Sequence, residues 1–216
     1  MLLLTRNDKI KSLKDFGAED KIALPTVKVS TQAIVLSMAA EQAFGEKDRG
    51  KLDAMTVTMG HPDAQIALAS GGQVNSHFSL EPYQTQEQKL PGVRTIVRST
   101  DVLGGPASNG VVFTTTAFHD ANPKLLASII KALNEVNDMV AKDKKKAAQI
   151  YLEVTKEKLT VDELVEILKN PNVRYSTTPY GTMKFAEFMF KTGILKTKPD
   201  NWKDVYFPEI HKLSGN

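Results

Sequence analysis

The chain contains no cysteine, which excludes disulfides, thiolate metal sites and cysteine nucleophiles. No apolar run approaches the ~20 residues that a membrane-spanning helix needs. The apolar residues 1–4 are followed at once by polar residues, too soon for an export signal. The 28 basic and 25 acidic residues are mixed along the chain, whereas a nucleic-acid binder concentrates its positive charge on one face. We therefore expect neither nucleic-acid binding nor direct membrane insertion.

Sequence motifs that carry well-defined chemistry are also missing. The chain has no GxxxxGK[ST] phosphate loop, no GxGxxG turn, no GxSxG elbow and no HExxH helix. Its four histidines, His61, His77, His119 and His211, show none of the short spacings of zinc ligands. No acid, base and nucleophile come together in the pattern. We expect no catalytic residues, no metal and no cofactor.

What the sequence does contain is an alternation of short apolar strands and helices. Strand patterns at residues 2–5, 21–25, 55–59, 74–78 and 93–98 alternate with helical patterns at 31–44 and 62–70. This alternation predicts an α/β layer with parallel strands. A further strand is expected at residues 111–115. Helices are expected from Pro123, near residues 144–154, after a capping box at Thr160, and from Thr178.

Polar side chains gather at the starts of two predicted helices. Ser30, Thr31 and Gln32 begin one, and His61 begins the next. Helix starts offer free backbone N–H groups at the positive end of a helix dipole. In an open parallel sheet both starts lie at carboxyl ends of strands, where such folds bind ligands, so we predict a site for a small anion. Serine and threonine at a helix start are more often only caps, and that alternative stays open.

Two further residues are candidate ligand contacts. His77 ends a predicted strand beside Phe78, and Asn109 lies in the glycine-rich turn at residues 104–110. A histidine in this position is more often an interior residue satisfied by hydrogen bonds. An asparagine in such a turn is more often a turn residue with positive φ. The sequence leaves both alternatives open.

The order of these signals resembles the solute-binding proteins of the nitrate, sulfonate and taurine class of ABC importers, a group with a thiamine-precursor-synthesis-like fold. Residues 12–16 and 21–25 are similar to the family's entry into its second lobe, and residues 60–64 and 67–71 to its Ala-Leu-x-x-Gly helix. Residues 76–83, 101–105, 118–123 and 202–207 are similar to later segments. The similarity covers nearly the whole chain and rests on order and spacing, with no single specific motif.

The resemblance implies an α/β fold of the type II periplasmic-binding-protein kind, with two lobes of parallel-rich sheet flanked by helices and a helical C-terminal region. Residues 9–92 would form lobe two. Residues 1–8 and 93–216 would form the crossover strands and the C-terminal half of lobe one, and the pattern lacks the N-terminal half of that lobe. The residues that would face a cleft between the lobes are Ser30, Thr31, Gln32, His61, His77 and Asn109.

The same resemblance implies a transport role. The solute would be a small anion such as a sulfonate, nitrate, taurine or a related carboxylate, and the partners would be the membrane subunits of an ABC permease. The location would be the periplasm or, attached to the membrane, the extracellular side of the cell. One alternative is an enzyme like the family's thiamine-precursor synthases. Such an enzyme would need a histidine and a lysine that together anchor a cofactor or act as a nucleophile, and also cysteine or metal ligands. The sequence shows no such group of residues. A cytoplasmic ligand-sensing module is the other alternative, favoured only by an attached DNA-binding helix, which is not visible. We expect a binding protein and not an enzyme.

Overall fold

The computed structural model describes all residues of the chain, 1–216, and divides them into two compact units. Unit one comprises residues 1–106 and 184–196, and unit two comprises residues 107–183 and 197–216. These bounds differ from the predicted lobes, because the first and last strands of the sheet belong to the same unit as residues 9–92. The assignment of lobes stays a prediction.

Unit one is built on a five-stranded sheet in the order β3-β2-β4-β1-β5. The strands are β1 (Leu2–Thr5), β2 (Ile22–Leu24), β3 (Thr56–Thr58), β4 (Ser76–Ser79) and β5 (Arg94–Arg98). β2 is parallel to β3 and β4, whereas β1 is antiparallel to both β4 and β5. The expectation of parallel strands is therefore wrong for β1 alone. The alternating pattern predicts direction only for strands that a helical crossover joins, and no crossover precedes β1.

Four helices accompany this sheet, and their apolar side chains build the core of unit one. They are α1 (Thr31–Phe44), α2 (His61–Ser70), α3 (Tyr83–Glu87) and α4 (Ser99–Leu103). The fully buried side chains include those of Leu3, Leu4, Ile22, Leu24 and Phe78. Burying a side chain of this size stabilises a fold by about 1.5–3 kcal/mol. This core fixes the carboxyl ends of the parallel strands, from which α1, α2 and α3 start.

Unit two is helical. Its elements are α5 (Thr116–Ala121), α6 (Pro123–Lys142), α7 (Lys144–Thr155), α8 (Val161–Lys169) and the first residues of α9 (Thr182–Lys191). Ala148, Leu164 and Ile167 form a small buried cluster between α7 and α8. The predicted capping box at Thr160 is confirmed, since its side chain and that of Glu163 each accept from the other's backbone N–H. No helix in the chain is both long and apolar enough to span a bilayer.

Two predictions for unit two are wrong. Residues 111–115 form no strand, because no other strand lies beside them to share backbone hydrogen bonds, and Phe113 is 90% exposed. The last helix begins at Thr182 and not at Thr178. The backbone N–H groups near residue 180 make hydrogen bonds outside the helix: that of Tyr180 donates to Ser108 Oγ, and that of Thr182 donates to the carbonyl of Asn216.

Candidate functional site

The starts of α1 and α2 lie at the same edge of the sheet. Both helices follow strands, β2 and β3, that are adjacent and parallel. A backbone bond of 2.8 Å from the Met59 N–H to the Leu24 carbonyl ties the two strand ends together. Across this edge the side-chain amide nitrogen of Gln32 lies 3.2 Å from Nε2 of His61. The structure thus brings together the two helix starts that the sequence singled out.

The start of α1 keeps two backbone donors without a partner in the chain. Ser30 caps the helix: its Oγ accepts from the Ala33 N–H at 3.2 Å, and its carbonyl accepts from the Ile34 N–H at 3.0 Å. The N–H groups of Thr31 and Gln32 have no acceptor within the chain. The first turn of α1 contains no acidic residue. The positive end of this helix dipole is therefore not neutralised by a side chain.

The start of α2 is less favourable for an anion. Gly60 occupies the cap position and offers no side-chain acceptor. Pro62 has no N–H to donate, and Asp63 places an exposed carboxylate in the first turn. A carboxylate there already interacts with the helix dipole. The contribution of α2 to the site is therefore the imidazole of His61 and its backbone N–H.

Behind His61 lies a chain of hydrogen bonds into the protein interior. His61 Nδ1 is 2.8 Å from Nε2 of His77, and His77 Nδ1 is 2.6 Å from Oε1 of Glu87. The side chains of His77 and Glu87 are wholly buried, and the second carboxylate oxygen of Glu87 has no partner. A buried carboxylate needs a strong hydrogen bond or an opposite charge to offset its lost hydration. We name Glu87, His77 and His61 the relay.

The donor at one end of the relay determines the tautomer of each ring. The amide nitrogen of Gln32 can only donate, so Nε2 of His61 accepts. A neutral His61 then carries its proton on Nδ1 and donates it to Nε2 of His77. His77 in turn carries its proton on Nδ1 and donates to the Glu87 carboxylate. In this pattern both ring nitrogens of each histidine have a hydrogen-bond partner.

His61 is half-buried and in contact with Tyr83. Burial lowers the pKa of His61 to about 4, with a smaller contribution from the neighbouring His77. At neutral pH the ring is therefore uncharged, as the tautomer chain requires. The ring of Tyr83 stacks on it, with centroids 5.8 Å apart and planes inclined by 19°.

Five of the six predicted site residues thus surround one edge of unit one. Ser30 and Thr31 are half-buried at the start of α1, and Gln32 is buried with its amide on His61. His77 is wholly buried, and both of its ring nitrogens are engaged in hydrogen bonds. It can therefore influence a ligand only through its hydrogen bond to His61. Asn109 belongs to unit two, where it lies exposed in a stretch without regular structure. The ligand contacts of all six stay predictions.

Sequence reasoning missed Tyr83 and Glu87. The helix α3 that carries them is only five residues long, too short for a recognisable apolar period. Their spacing of four residues puts both on one face of that helix, which is the face toward the two histidines. For Glu87 the only signal in the sequence is its position ten residues after His77, the histidine of strand β4.

The relay contains a carboxylate and an imidazole, as a general base does, but the hydrogen-bond partners of the His61 nitrogens are an amide and a second imidazole, not a hydroxyl group that such a base could deprotonate. A carboxylate that orients an imidazole is the arrangement that activates nucleophiles in hydrolases. Here the outer nitrogen of His61 faces an amide and not a hydroxyl. No group of three or more histidine, cysteine or acidic side chains is arranged to hold a metal ion. Two cavities of unit one, of about 390 and 480 Å³, are lined by none of the predicted site residues.

Comparison with known proteins gives matches among solved structures only. No protein-family model and no curated protein sequence matches the chain. The periplasmic aliphatic sulphonate binding protein SsuA from Escherichia coli matches with a TM-score of 0.67 and 16% identity, over 96% of this chain and 65% of that one. The alkanesulfonate-binding protein SsuA from Xanthomonas axonopodis pv. citri, bound to MOPS, matches with a TM-score of 0.67 and 12% identity, over 91% and 66%. The chain has the fold of periplasmic solute-binding proteins.

A third solved structure agrees with this solute-binding fold. It is the ligand-binding component of an ABC-type import system from Staphylococcus aureus with zinc bound, with a TM-score of 0.63 and 15% identity, over 98% of this chain and 69% of that one. The predicted fold class and the resemblance to this group of proteins are confirmed at the level of the fold. The chain spans about two thirds of the length of these proteins.

Proposed function

We propose that the chain is the solute-binding part of an ABC importer that captures a small organic or inorganic anion and delivers it to the membrane subunits of the importer. Its place of action is the periplasm or the outer surface of the membrane. The observation that carries the proposal is the pair of helix starts joined by Gln32 and His61. They lie where parallel α/β sheets bind ligands.

The chemistry of this edge favours an anion. The free N–H groups of Thr31 and Gln32 point out of the positive end of α1, which carries roughly half a unit of charge. Hydrogen bonds from such donors to a charged oxygen contribute about 1.5–3 kcal/mol each. A sulfonate is our first choice because two of the solved structures with this fold are named for sulfonates. Nitrate, taurine and small carboxylates are the alternatives for the same donors.

The same geometry favours binding over catalysis. A general base must reach the proton that it removes, and Nε2 of His61 already accepts from the amide of Gln32. The proteins with similar structures are binding proteins by name. We therefore propose that the relay orients His61 for a ligand and activates no nucleophile.

Calorimetric titration of the chain with an alkanesulfonate, taurine, nitrate, a carboxylate and a neutral alcohol of matching length tests the proposal. We expect saturable binding of at least one anion and none of the alcohol. Gln32→Ala should weaken that binding by tenfold or more. Gln42→Ala is the matched control, because its amide lies near the other end of α1 and donates to the carbonyl of Val102. Equal affinity of the two variants would place the site elsewhere.

A further inference from the structure

We infer that anion binding at this edge takes up one proton, because the relay must reverse its tautomers before His61 can donate a hydrogen bond to the ligand. The inference rests on the proposed function and adds a regulation to it. In the unliganded relay Nε2 of His61 is an acceptor, and an acceptor repels an anion. An anion near this nitrogen needs a proton on it.

The relay offers a place for the added proton. When a solvent proton binds Nε2 of His61, the proton on its Nδ1 passes along the 2.8 Å hydrogen bond to Nε2 of His77. His77 then carries protons on both nitrogens and forms an ion pair with the Glu87 carboxylate at 2.6 Å. The two rings hold two protons before binding and three after it. The single positive charge gained balances the single negative charge of the ligand.

Glu87 is the group that makes this reversal possible. An imidazolium buried as fully as His77 is stable only beside a counter-charge. The carboxylate of Glu87 supplies that charge, and its second oxygen has no competing hydrogen bond. Gln32, released from His61, can turn its N–H toward the anion. The ligand therefore gains a donor from each helix start.

Other ionisable groups near the relay are few. On α3 they are Tyr83, stacked on His61, and Glu87 itself. Glu81, just before α3, is held by Gln84 and Thr85 through its Oε1 and lies near the amino group of Met1. On α2 the nearest is the exposed Asp63. The first turn of α1 and strands β1 and β4 add no charged side chain besides His77.

The sign of the pH dependence follows from the proton count. The low pKa of His61 in the free chain means that the ring is unprotonated at pH 7. Because binding then takes up one proton from the solution, the dissociation constant rises up to tenfold for each unit of pH. Anion affinity therefore falls as the solution becomes more alkaline. A site made only of backbone N–H groups would show no such dependence.

Titration calorimetry of the chain with an alkanesulfonate in buffers of different ionisation enthalpy tests the inference. The expected result is an uptake of close to one proton per anion at pH 7. Binding without proton uptake overturns the relay while leaving the proposed function in place. Absence of any binding overturns the proposed function. Nitrogen NMR of the unliganded chain is a separate test: His61 and His77 should both be protonated on Nδ1, and the opposite tautomer would contradict the inference with or without a ligand.

The variant Glu87→Gln separates the relay from simple electrostatics. Removing a negative charge near an anion site should strengthen binding if only long-range charge matters. The relay predicts the opposite, a loss of affinity of tenfold or more at pH 7 and a proton uptake near zero. Asp63→Asn is the control, since it removes a carboxylate from the first turn of α2 without touching the relay. It should retain the uptake of one proton. If Glu87→Gln fails to fold, the number of protons that the wild-type chain takes up per anion still tests the inference.

Discussion

The amide of Gln32 and the imidazole of His61 lie 3.2 Å apart although 29 residues separate them in the chain. This contact joins the second residue of α1 to the first residue of α2 and so aligns the starts of two helices. Behind it the relay fixes the plane of the His61 ring, while Tyr83 covers one face. The starts of the two helices are therefore aligned before any ligand arrives, which reduces the entropy that binding costs.

Replacement of His61 is expected to weaken anion binding and to lower stability moderately. His61→Ala removes one donor to the anion, worth a factor of roughly ten to a hundred in affinity. A moderate fall in the melting temperature is also expected, because the buried His77 and Gln32 each lose a hydrogen-bond partner while α2 keeps its glycine cap. Titration calorimetry and thermal unfolding measure the two effects. His119→Ala, in unit two, is the control for affinity, and equal binding by the two variants would remove His61 from the site.

Replacement of Ser30 is expected to affect both properties. Ser30→Ala deletes the cap of α1, which costs about 1 kcal/mol of stability, and also deletes a hydroxyl donor beside the free N–H groups. A fall in both the melting temperature and the anion affinity is the predicted result. Thr160→Ala deletes an equivalent cap from α8 in unit two and should lower stability alone. If Ser30→Ala matches Thr160→Ala in both measurements, Ser30 is only a cap.

We expect His119 to make the stability of unit two depend on pH. His119 on α5 contacts Asp120 at 2.8 Å and Glu209 at 2.9 Å and stacks on Phe207 at 4.0 Å. The hydrogen bonds that the His119 ring donates to the carboxylates of Asp120 and Glu209 raise the pKa of His119. The Glu209 pKa is lowered, first by its own backbone N–H and then by His119.

The two pKa shifts give the pH window in which this contact stabilises the fold. The His119 contribution is fully present below its unfolded pKa of about 6.5 and is lost as the pH rises through the higher folded value. The Glu209 contribution is present above about 4.5 and is lost as the pH falls through its lowered pKa. Thermal unfolding of wild type and His119→Gln should differ most between these limits and converge as the pH rises through the raised pKa of His119. A difference that is constant with pH would contradict the assignment.

Local sequence signals were enough to predict most of unit one. The start of α1 at Thr31, the start of α2 beside Gly60 and the strands between them follow from caps, glycines and apolar runs, which are properties of a few neighbouring residues. The meeting of the two helix starts followed from the parallel β2 and β3. The direction of β1 depends on its pairing with β4, which lies more than 70 residues away in the chain, and has no local signature.

The relay could not be predicted for a similar reason. His61, His77 and Glu87 come from a helix, a strand and a helix of five residues, and their hydrogen bonds exist only because the sheet brings these elements together. The sequence identified both histidines as candidates but not the carboxylate that links them to the interior. In unit two the expected strand at residues 111–115 failed because strand formation depends on a neighbouring strand and not on apolar residues alone.

Nitrogen–proton NMR of the backbone during titration with an alkanesulfonate shows whether an anion binds at the starts of α1 and α2. We expect the amide signals of Thr31, Gln32 and His61 to shift together and to saturate with a single dissociation constant. The amides of α6 and α8 in unit two should not follow the same curve. Saturable shifts confined to residues away from the starts of α1 and α2, or no saturable shift with any of the anions, would contradict it.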